Sequence, residues 1–342
     1  MRIIFFNHKG GVSKTTSTFH IGWMLAHRGA RVLLVDADPQ CNLTSLVMQD
    51  DFVDYYSNPA TREHNIKDGV SSAFEGKPTP IEHINCYQVA RNTNLYLLPG
   101  HPNLTELEPS LSFAQTAPGA FSTMQNLPGS FNALIEKTSS HYNIDYVLID
   151  LNPGLSAINQ NLFSISDLFI LPTNPDPFSI MAIKTLSTVL PRWYKAANEW
   201  KVAFSNSTYP FPDVNPKFGG IIVQRYNIRN GRPAAPFQNS MAEIFEEVNT
   251  IFFPALSNAN MVYPPNIYQG AVIADNYCLG EIPDFQSLQQ QSQTHGIPVF
   301  ALADVEINAI GIVLDQMIVK RTQFLNLFTE IVQKIEYIKA NG

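Results

Sequence analysis

The chain has 342 residues, 45% of them hydrophobic and 15% charged, so it can bury a sizeable core and is not a disordered chain. Lys and Arg number 22 against 29 Asp and Glu, a formal net charge of -7. That balance rules out a surface that is basic all over, while one face could still carry a local basic patch. Three scattered cysteines, Cys41, Cys86 and Cys278, form no CxxC pair and read as reduced thiols of a cytosolic protein. No secretory signal precedes the first motif, and no apolar run is long enough to span a bilayer.

In chain order, Arg2 to Phe6 is short, apolar and β-prone, and predicts a buried strand. A glycine-containing turn follows over His8 to Ser13. Lys14 to His27 has helical composition and stops near Gly29. Arg31 to Asp36 (RVLLVD) predicts a second buried strand, which completes a βαβ unit. Asp50 to Thr93, with several prolines and weak periodicity, reads as an insertion of short helices and loops. Asn94 to Leu98 returns to strand before Pro99-Gly100. Ser110 to Pro128 is rich in Ser, Ala, Gly, Thr and Pro, and reads as a loop or lid. Tyr146 to Asp150 and Leu168 to Pro172 are further buried strands. Ile180 to Trp200 predicts a helix that Pro191 should kink or divide. Phe218 to Gln224 is a late strand, and Glu306 to Lys339 should give one or two closing helices. The expected fold is α/β: a mostly parallel twisted sheet flanked by helices, in a single domain over 1–342 with internal insertions near 50–93 and 110–140. Ligands then belong beyond the carboxyl ends of the strands.

The densest chemistry is Lys9-Gly10-Gly11-Val12-Ser13-Lys14-Thr15-Thr16. Glycines allow a tight backbone turn close to an anion, and the following helix aims unpaired N–H groups at it. Lys14 supplies a cation for the β and γ phosphates, and Thr15 a hydroxyl for Mg²⁺. The ordinary GxxxxGK[ST] pattern is not met, because its glycines would fall at His8 and Ser13. The pattern present is KGGxxK[ST], with an extra lysine at position 9. A chance loop with a solvated lysine pair is the plain alternative. His8 is read as an ordinary loop residue.

This stretch resembles the deviant Walker A class of P-loop NTPases: ParA/Soj partition ATPases, MinD, and relatives such as nitrogenase iron protein. The resemblance implies that Lys14 serves the phosphates within its own subunit. It also implies that Lys9 reaches across an ATP-stabilised homodimer to the partner's nucleotide. Serine at position 13 is a variation within the partition proteins.

Asp36-Ala37-Asp38-Pro39-Gln40-Cys41-Asn42 follows the second strand. Two carboxylates two residues apart at a strand end can face one crevice, or can simply form a turn before Pro39. The stretch resembles the family's DxDPQxN motif. By that match Asp38 positions or activates the attacking water, and Asp36 supports the switch and the Mg²⁺ site. Asp150, closing the strand YVLID, reads as a Walker B ligand to Mg²⁺ or as a helix cap. The family often has two prolines after this aspartate, whereas Leu151-Asn152-Pro153-Gly154 keeps one. Asn227, after the late strand, and Pro283, in Ile282-Pro283-Asp284, resemble positions near the adenine. A strand end and an ordinary turn fit them equally.

The resemblance implies an ATPase that takes ATP and Mg²⁺, hydrolyses slowly under stimulation by a ParB-like or cargo-adaptor protein, and positions DNA or another large cargo. With the phosphate loop at residue 9, it is similar to the shorter partition ATPases. Nonspecific DNA binding would use clustered cations. Arg192, Lys195, Lys201, Arg225, Arg229, Arg232, Lys320, Arg321, Lys334 and Lys339 are candidates, although any one of them reads as ordinary solvated charge. The expected location is the cytoplasm, on the nucleoid if DNA is bound. One alternative is a MinD-like, membrane-associated division-site regulator. Phe324 to Lys339 is amphipathic, but Glu330 and Glu336 argue that its apolar face packs on the core. The other alternative is a metal-carrier or metabolic ATPase of the same fold, for which three scattered cysteines are poor ligands.

Overall fold

The computed structural model describes residues 1–119, 121–229, 232–271 and 276–342. Its strands are β1 (Arg2–Phe5), β2 (Val32–Ala37), β3 (Tyr87–Gln88), β4 (Leu95–Leu98), β5 (Tyr146–Leu151), β6 (Leu168–Thr173), β7 (Lys217–Tyr226), β8 (Ile228–Arg229), β9 (Arg232–Pro233) and β10 (Cys278–Pro283). Eight of them form one sheet in the order β10-β7-β6-β1-β5-β2-β4-β3. All neighbours are parallel except β3, which runs antiparallel to β4 at the edge. β8 and β9 make a separate small hairpin.

The helices are α1 (Lys14–His27), α2 (Asn42–Met48), α3 (Asp51–Ser57), α4 (Ile66–Gly69), α5 (Ser71–Phe74), α6 (Glu108–Thr116) and α7 (Leu127–His141). They continue with α8 (Ala157–Ser164), α9 (Pro177–Ala203), α10 (Ala235–Glu247), α11 (Phe253–Asn258), α12 (Pro265–Ala271), α13 (Ser287–His295) and α14 (Gly311–Asn341). Alternation along the central strands assigns them to two faces. Leu34 and Leu148 meet α1 at Gly22, where a Cβ would lie 2.5 Å from a Leu34 methyl. That contact explains the glycine. Phe6, of opposite parity, meets Phe163 of α8 and Trp193 of α9. The central strands β1, β2, β5 and β6 are almost wholly buried, as a sheet covered on both faces requires.

Two sequence expectations are corrected. Ser110 to Pro128 is not a loop throughout: α6 occupies Glu108–Thr116, a 3₁₀ turn covers Ser122–Met124, and α7 already begins at Leu127. Pro109 sits in the first turn of α6, where proline is tolerated, and Leu111, Ala114 and Gln115 bury one helical face. Ala120 lies outside the described residues. Pro191 does not divide its helix: α9 runs 27 residues through it. An interior proline costs about 3 kcal/mol. Burial of Leu186, Val189, Leu190, Trp193, Ala197 and Trp200 on both sides of it offsets that cost. Asp50 to Thr93 contains short helices, as expected, with β3 added at the edge.

The sheet order fixes the site. β1 lies between β5 and β6, and β5 lies between β1 and β2. Register places Phe5 beside Asp150 and Asp150 beside Asp36. The turn after β1 and the carboxylates of β2 and β5 therefore share one carboxyl edge.

Candidate functional site

Two residues in left-handed conformation bend the chain between β1 and α1: Gly11 at φ 74° and Ser13 at φ 57°. Glycine takes this conformation freely, whereas for serine it is strained. Ser13 is the N-cap of α1 and makes no side-chain cap bond. The first turn of α1 thus keeps donors for an anion.

Lys14 is buried, and its Nζ donates to the carbonyls of Asn7 (3.1 Å) and Lys9 (3.2 Å). Burial lowers its pKa, against the opposing pull of Asp150 and Asp38. The loop and its surroundings enclose a cavity of about 780 Å³ lined by residues 10–16, Asp38, Pro153, Arg225, Gln289 and Gln293, among others. Three side chains brace the loop and the first turn of α1. Arg225 Nη1 and Asn174 Nδ2 each donate to the Gly11 carbonyl at 3.1 Å, and Gln224 Nε2 donates to Ser17 Oγ at 2.6 Å.

The three aspartates differ in what holds them. Asp36 is fully buried, and its Oδ2 accepts from the Thr44 amide (2.8 Å) and hydroxyl (2.6 Å). Its Oδ1 accepts from the Asp38 amide at 3.1 Å. Burial nevertheless pushes its pKa up to about 6. Asp38, which faces the cavity, accepts from the Gln40 amide at 2.9 Å. Asp150 is fully buried, and neither carboxylate oxygen makes a hydrogen bond of ordinary geometry, although the Thr15 hydroxyl and the Lys14 ammonium are near enough to favour its charged form. Burial first, and Asp36 second, hold its pKa well above the ordinary carboxylate range.

A buried carboxylate with unused lone pairs near the Thr15 hydroxyl suits a divalent cation whose remaining ligands are phosphate oxygens and water, the usual Mg²⁺ arrangement. Among the described residues no cluster of three or more His, Cys, Asp or Glu side chains forms a metal cage.

Lys9 points away from the cavity. Its Nζ donates to both carboxylate oxygens of Asp176, at 2.6 Å for Oδ1, and to Ser179 Oγ at 3.0 Å. Asp176 is also the N-cap of α9, accepting from the Ser179 amide at 2.9 Å.

The two adenine candidates do not line this cavity. Asn227 is exposed beyond β7. Pro283 lines a neighbouring cleft of about 410 Å³ with Tyr226, Asp284, Lys320 and Phe324. Arg225, a candidate for DNA, lies instead beside the glycine turn. The other cations are dispersed. Lys201 pairs with Asp213, Arg321 with Asp304, and Lys320 donates to Gln286. Lys334 and Lys339 donate to backbone carbonyls. Arg192, Lys195 and Arg232 are exposed, and the side chain of Arg229 lies outside the described residues. Phe328, Ile331, Ile335 and Ile338 of α14 are fully buried, so that face packs on the core. Among the described residues no helix is long and apolar enough to cross a membrane. Cys41 and Cys278 are buried and Cys86 is half-buried, all as free thiols.

Sequence reasoning missed Asp176, Asn174, Gln289 and Gln293. For Asp176 a signal existed: Asp followed by Pro after a strand is a helix-start pattern.

A protein-family model, AAA_31, described as an AAA domain, matches residues 1–201. Among known proteins, the chain is 30% identical over 180 residues to an uncharacterised protein of Methanocaldococcus jannaschii, covering 53% of this chain and 61% of that one. It is 28% identical over 189 residues to the chromosome-partitioning ATPase Soj of Thermus thermophilus, covering 55% of this chain and 61% of Soj. These matches thus span less than two thirds of either relative. Among solved structures, Cyanthece apo McdA superposes with a TM-score of 0.61 at 17% identity, covering 98% of both chains, a likeness of fold.

Proposed function

The chain belongs to the AAA_31 family of AAA domains and is of the ParA/MinD type, and from that premise we propose that it is a nucleotide-switched ATPase that dimerises on ATP and positions DNA or another large cargo. One observation carries the reading. The glycine turn, Lys14 and Asp38 line one triphosphate-sized cavity, with the carboxylate of Asp150 buried at the same strand edge.

Residues 10–16 bind the phosphates through backbone N–H groups and the Lys14 ammonium. Thr15 and Asp150 would hold Mg²⁺, which when bound neutralises charge on the β and γ oxygens. Asp36, fixed by Thr44, supports the turn that aims Asp38 into the cavity. Asp38 orients water and accepts its proton. With so few groups acting on the water, hydrolysis is slow, leaving room for stimulation by a ParB-like or cargo-adaptor protein.

The Lys9 role, the homodimer and nonspecific DNA binding are extensions from the family resemblance. A matched relative being a chromosome-partitioning ATPase supports them. So does the exposure of Arg192 and Lys195 on α9, which a dimer would double. The protein would then act in the cytoplasm, on the nucleoid.

Co-sedimentation with DNA and with liposomes, under ATP and ADP and across a salt series, tests this. Retention on DNA that needs ATP and fades with salt is the expected result. Retention on liposomes alone would replace the cargo reading with a membrane one. Lys14→Ala should abolish tight ATP binding, and unchanged affinity by calorimetry would refute the phosphate-loop assignment.

A further inference from the structure

The loop that follows Asp150 leads into α8, and the start of α8 is held in an uncommon way. The amide of Ala157 donates to Glu108 Oε2 at 2.8 Å. The amide of Ile158 donates to both Glu108 oxygens, at 3.2 and 3.4 Å. Ser156, the N-cap, takes the Asn159 amide with its own hydroxyl. A local serine cap ordinarily suffices for a helix start. Here a carboxylate from α6, 49 residues upstream of Ala157, satisfies two more orphan donors. Its charge also complements the positive end of the helix dipole.

What α8 holds in turn is the segment between Asp150 and Ser156. Asn159 Nδ2 donates to the Asn152 carbonyl (3.1 Å), the Asn152 side-chain oxygen (2.6 Å) and the Gly154 carbonyl (3.1 Å). Between those two residues, Pro153 packs on the phosphate loop. A Cβ added at Gly10 would lie 3.8 Å from it. The contacts are therefore contiguous from Glu108, through the first turn of α8 and Asn159, to the wall of the nucleotide cavity.

We infer that Glu108 is a positioning residue for hydrolysis: by pinning the N-terminus of α8 it fixes the segment after Asp150, so that α6 sets turnover without contributing to nucleotide affinity. The inference rests on the ATPase reading above. Glu108 touches neither the cavity nor the phosphate loop, so its removal leaves Lys14, Thr15 and the loop donors in place. An amide in its place offers one acceptor, and its NH₂ opposes the helix donors. Displacements of about 1 Å at a reacting centre can cost up to roughly a hundredfold in rate.

The test uses the full chain with Glu108→Gln and Glu108→Asp. Steady-state ATPase should show kcat falling by about tenfold in Glu108→Gln with KM changed less than about twofold. Glu108→Asp, with its charge kept one methylene short, should recover part of that loss. Hydrogen exchange should quicken over residues 152–158 in Glu108→Gln. A residue that merely stabilises α8 would lower the melting temperature and leave kcat alone; that result overturns the inference. If the wild type binds ATP but does not turn it over, the function reading fails instead. Exchange then decides for Glu108: faster exchange at Gly154 and Leu155 supports the pinning, and unchanged exchange there overturns it.

Discussion

Replacing Asp176 by asparagine should make dimerisation easier, because the structure holds Lys9 in its own subunit. For Lys9 to serve a partner's nucleotide it must first leave Asp176 and Ser179. The Lys9 and Asp176 side chains are 21% and 31% exposed, so solvent screens the ion pair substantially. Exposed pairs contribute up to about 1 kcal/mol, and hydrogen bonds to charged groups roughly 1.5–3 kcal/mol before such screening. A net value of about 1 kcal/mol corresponds to roughly a fivefold change in an equilibrium constant. Asparagine is the right substitution because Asp176 also caps α9 through the Ser179 amide. Asn caps about as well as Asp, whereas Ala would cost about 1 kcal/mol of helix stability and confuse the result. The ATP concentration that half-dimerises the chain, read by light scattering after gel filtration, should therefore fall by about fivefold. ATP affinity measured below the dimerisation threshold should not move. A midpoint equal to wild type, with the variant folded, would show that the Lys9–Asp176 contact does not oppose dimer formation.

Asp38→Ala should retain ATP, hydrolyse it poorly and accumulate dimers, and wild-type turnover would remove the proposed role of Asp38. Asp150 gives a pH prediction. Its pKa in the folded chain is raised, chiefly by burial, so between the ordinary carboxylate value and the raised one the folded chain holds a proton that the unfolded chain has lost. Stability of the nucleotide-free chain should thus fall as pH rises through that window, and Asp150→Asn should flatten the fall in thermal melts. Mg²⁺–nucleotide affinity should run the other way, since the cation needs the carboxylate. A pH slope identical in Asp150→Asn would exclude Asp150 as its source.

The residues that the fold gathers into the candidate site were legible because their signals are local. Lys9 to Thr16 is a contiguous run, Asp36 and Asp38 are two residues apart, and each apolar strand announces the edge at which it ends. Buried parallel strands read as continuous apolar runs, so β1, β2, β4, β5, β6 and β7 were each visible to within a residue or two. Segments whose structure comes from packing were less legible. α6 hides in a Ser-, Ala- and Pro-rich stretch because three buried residues, rather than a strong propensity, make it a helix. Pro191 misleads for the opposite reason, since propensity predicts a break that the buried aromatic and aliphatic face of α9 overrides.

What no motif announces is which long-range partner holds each local feature, and there the chemistry of the site is decided. A P-loop lysine in sequence is a cation of unspecified aim. In the fold Lys14 is drawn inward by two carbonyls from its own loop, while Lys9 is taken up by a helix cap 167 residues away. Equally, three aspartates at strand ends look interchangeable in sequence. Asp36 already accepts three hydrogen bonds, from the Thr44 amide and hydroxyl and from the Asp38 amide, whereas Asp150 accepts none of ordinary geometry, so Asp150 has more lone pairs free to offer a cation. The division of labour proposed here, Asp36 anchoring and Asp150 ligating, therefore rests on where Thr44 stands. Removing its hydroxyl should cost Asp36 a short hydrogen bond, while leaving the carboxylate of Asp150 as free of ordinary hydrogen bonds as before.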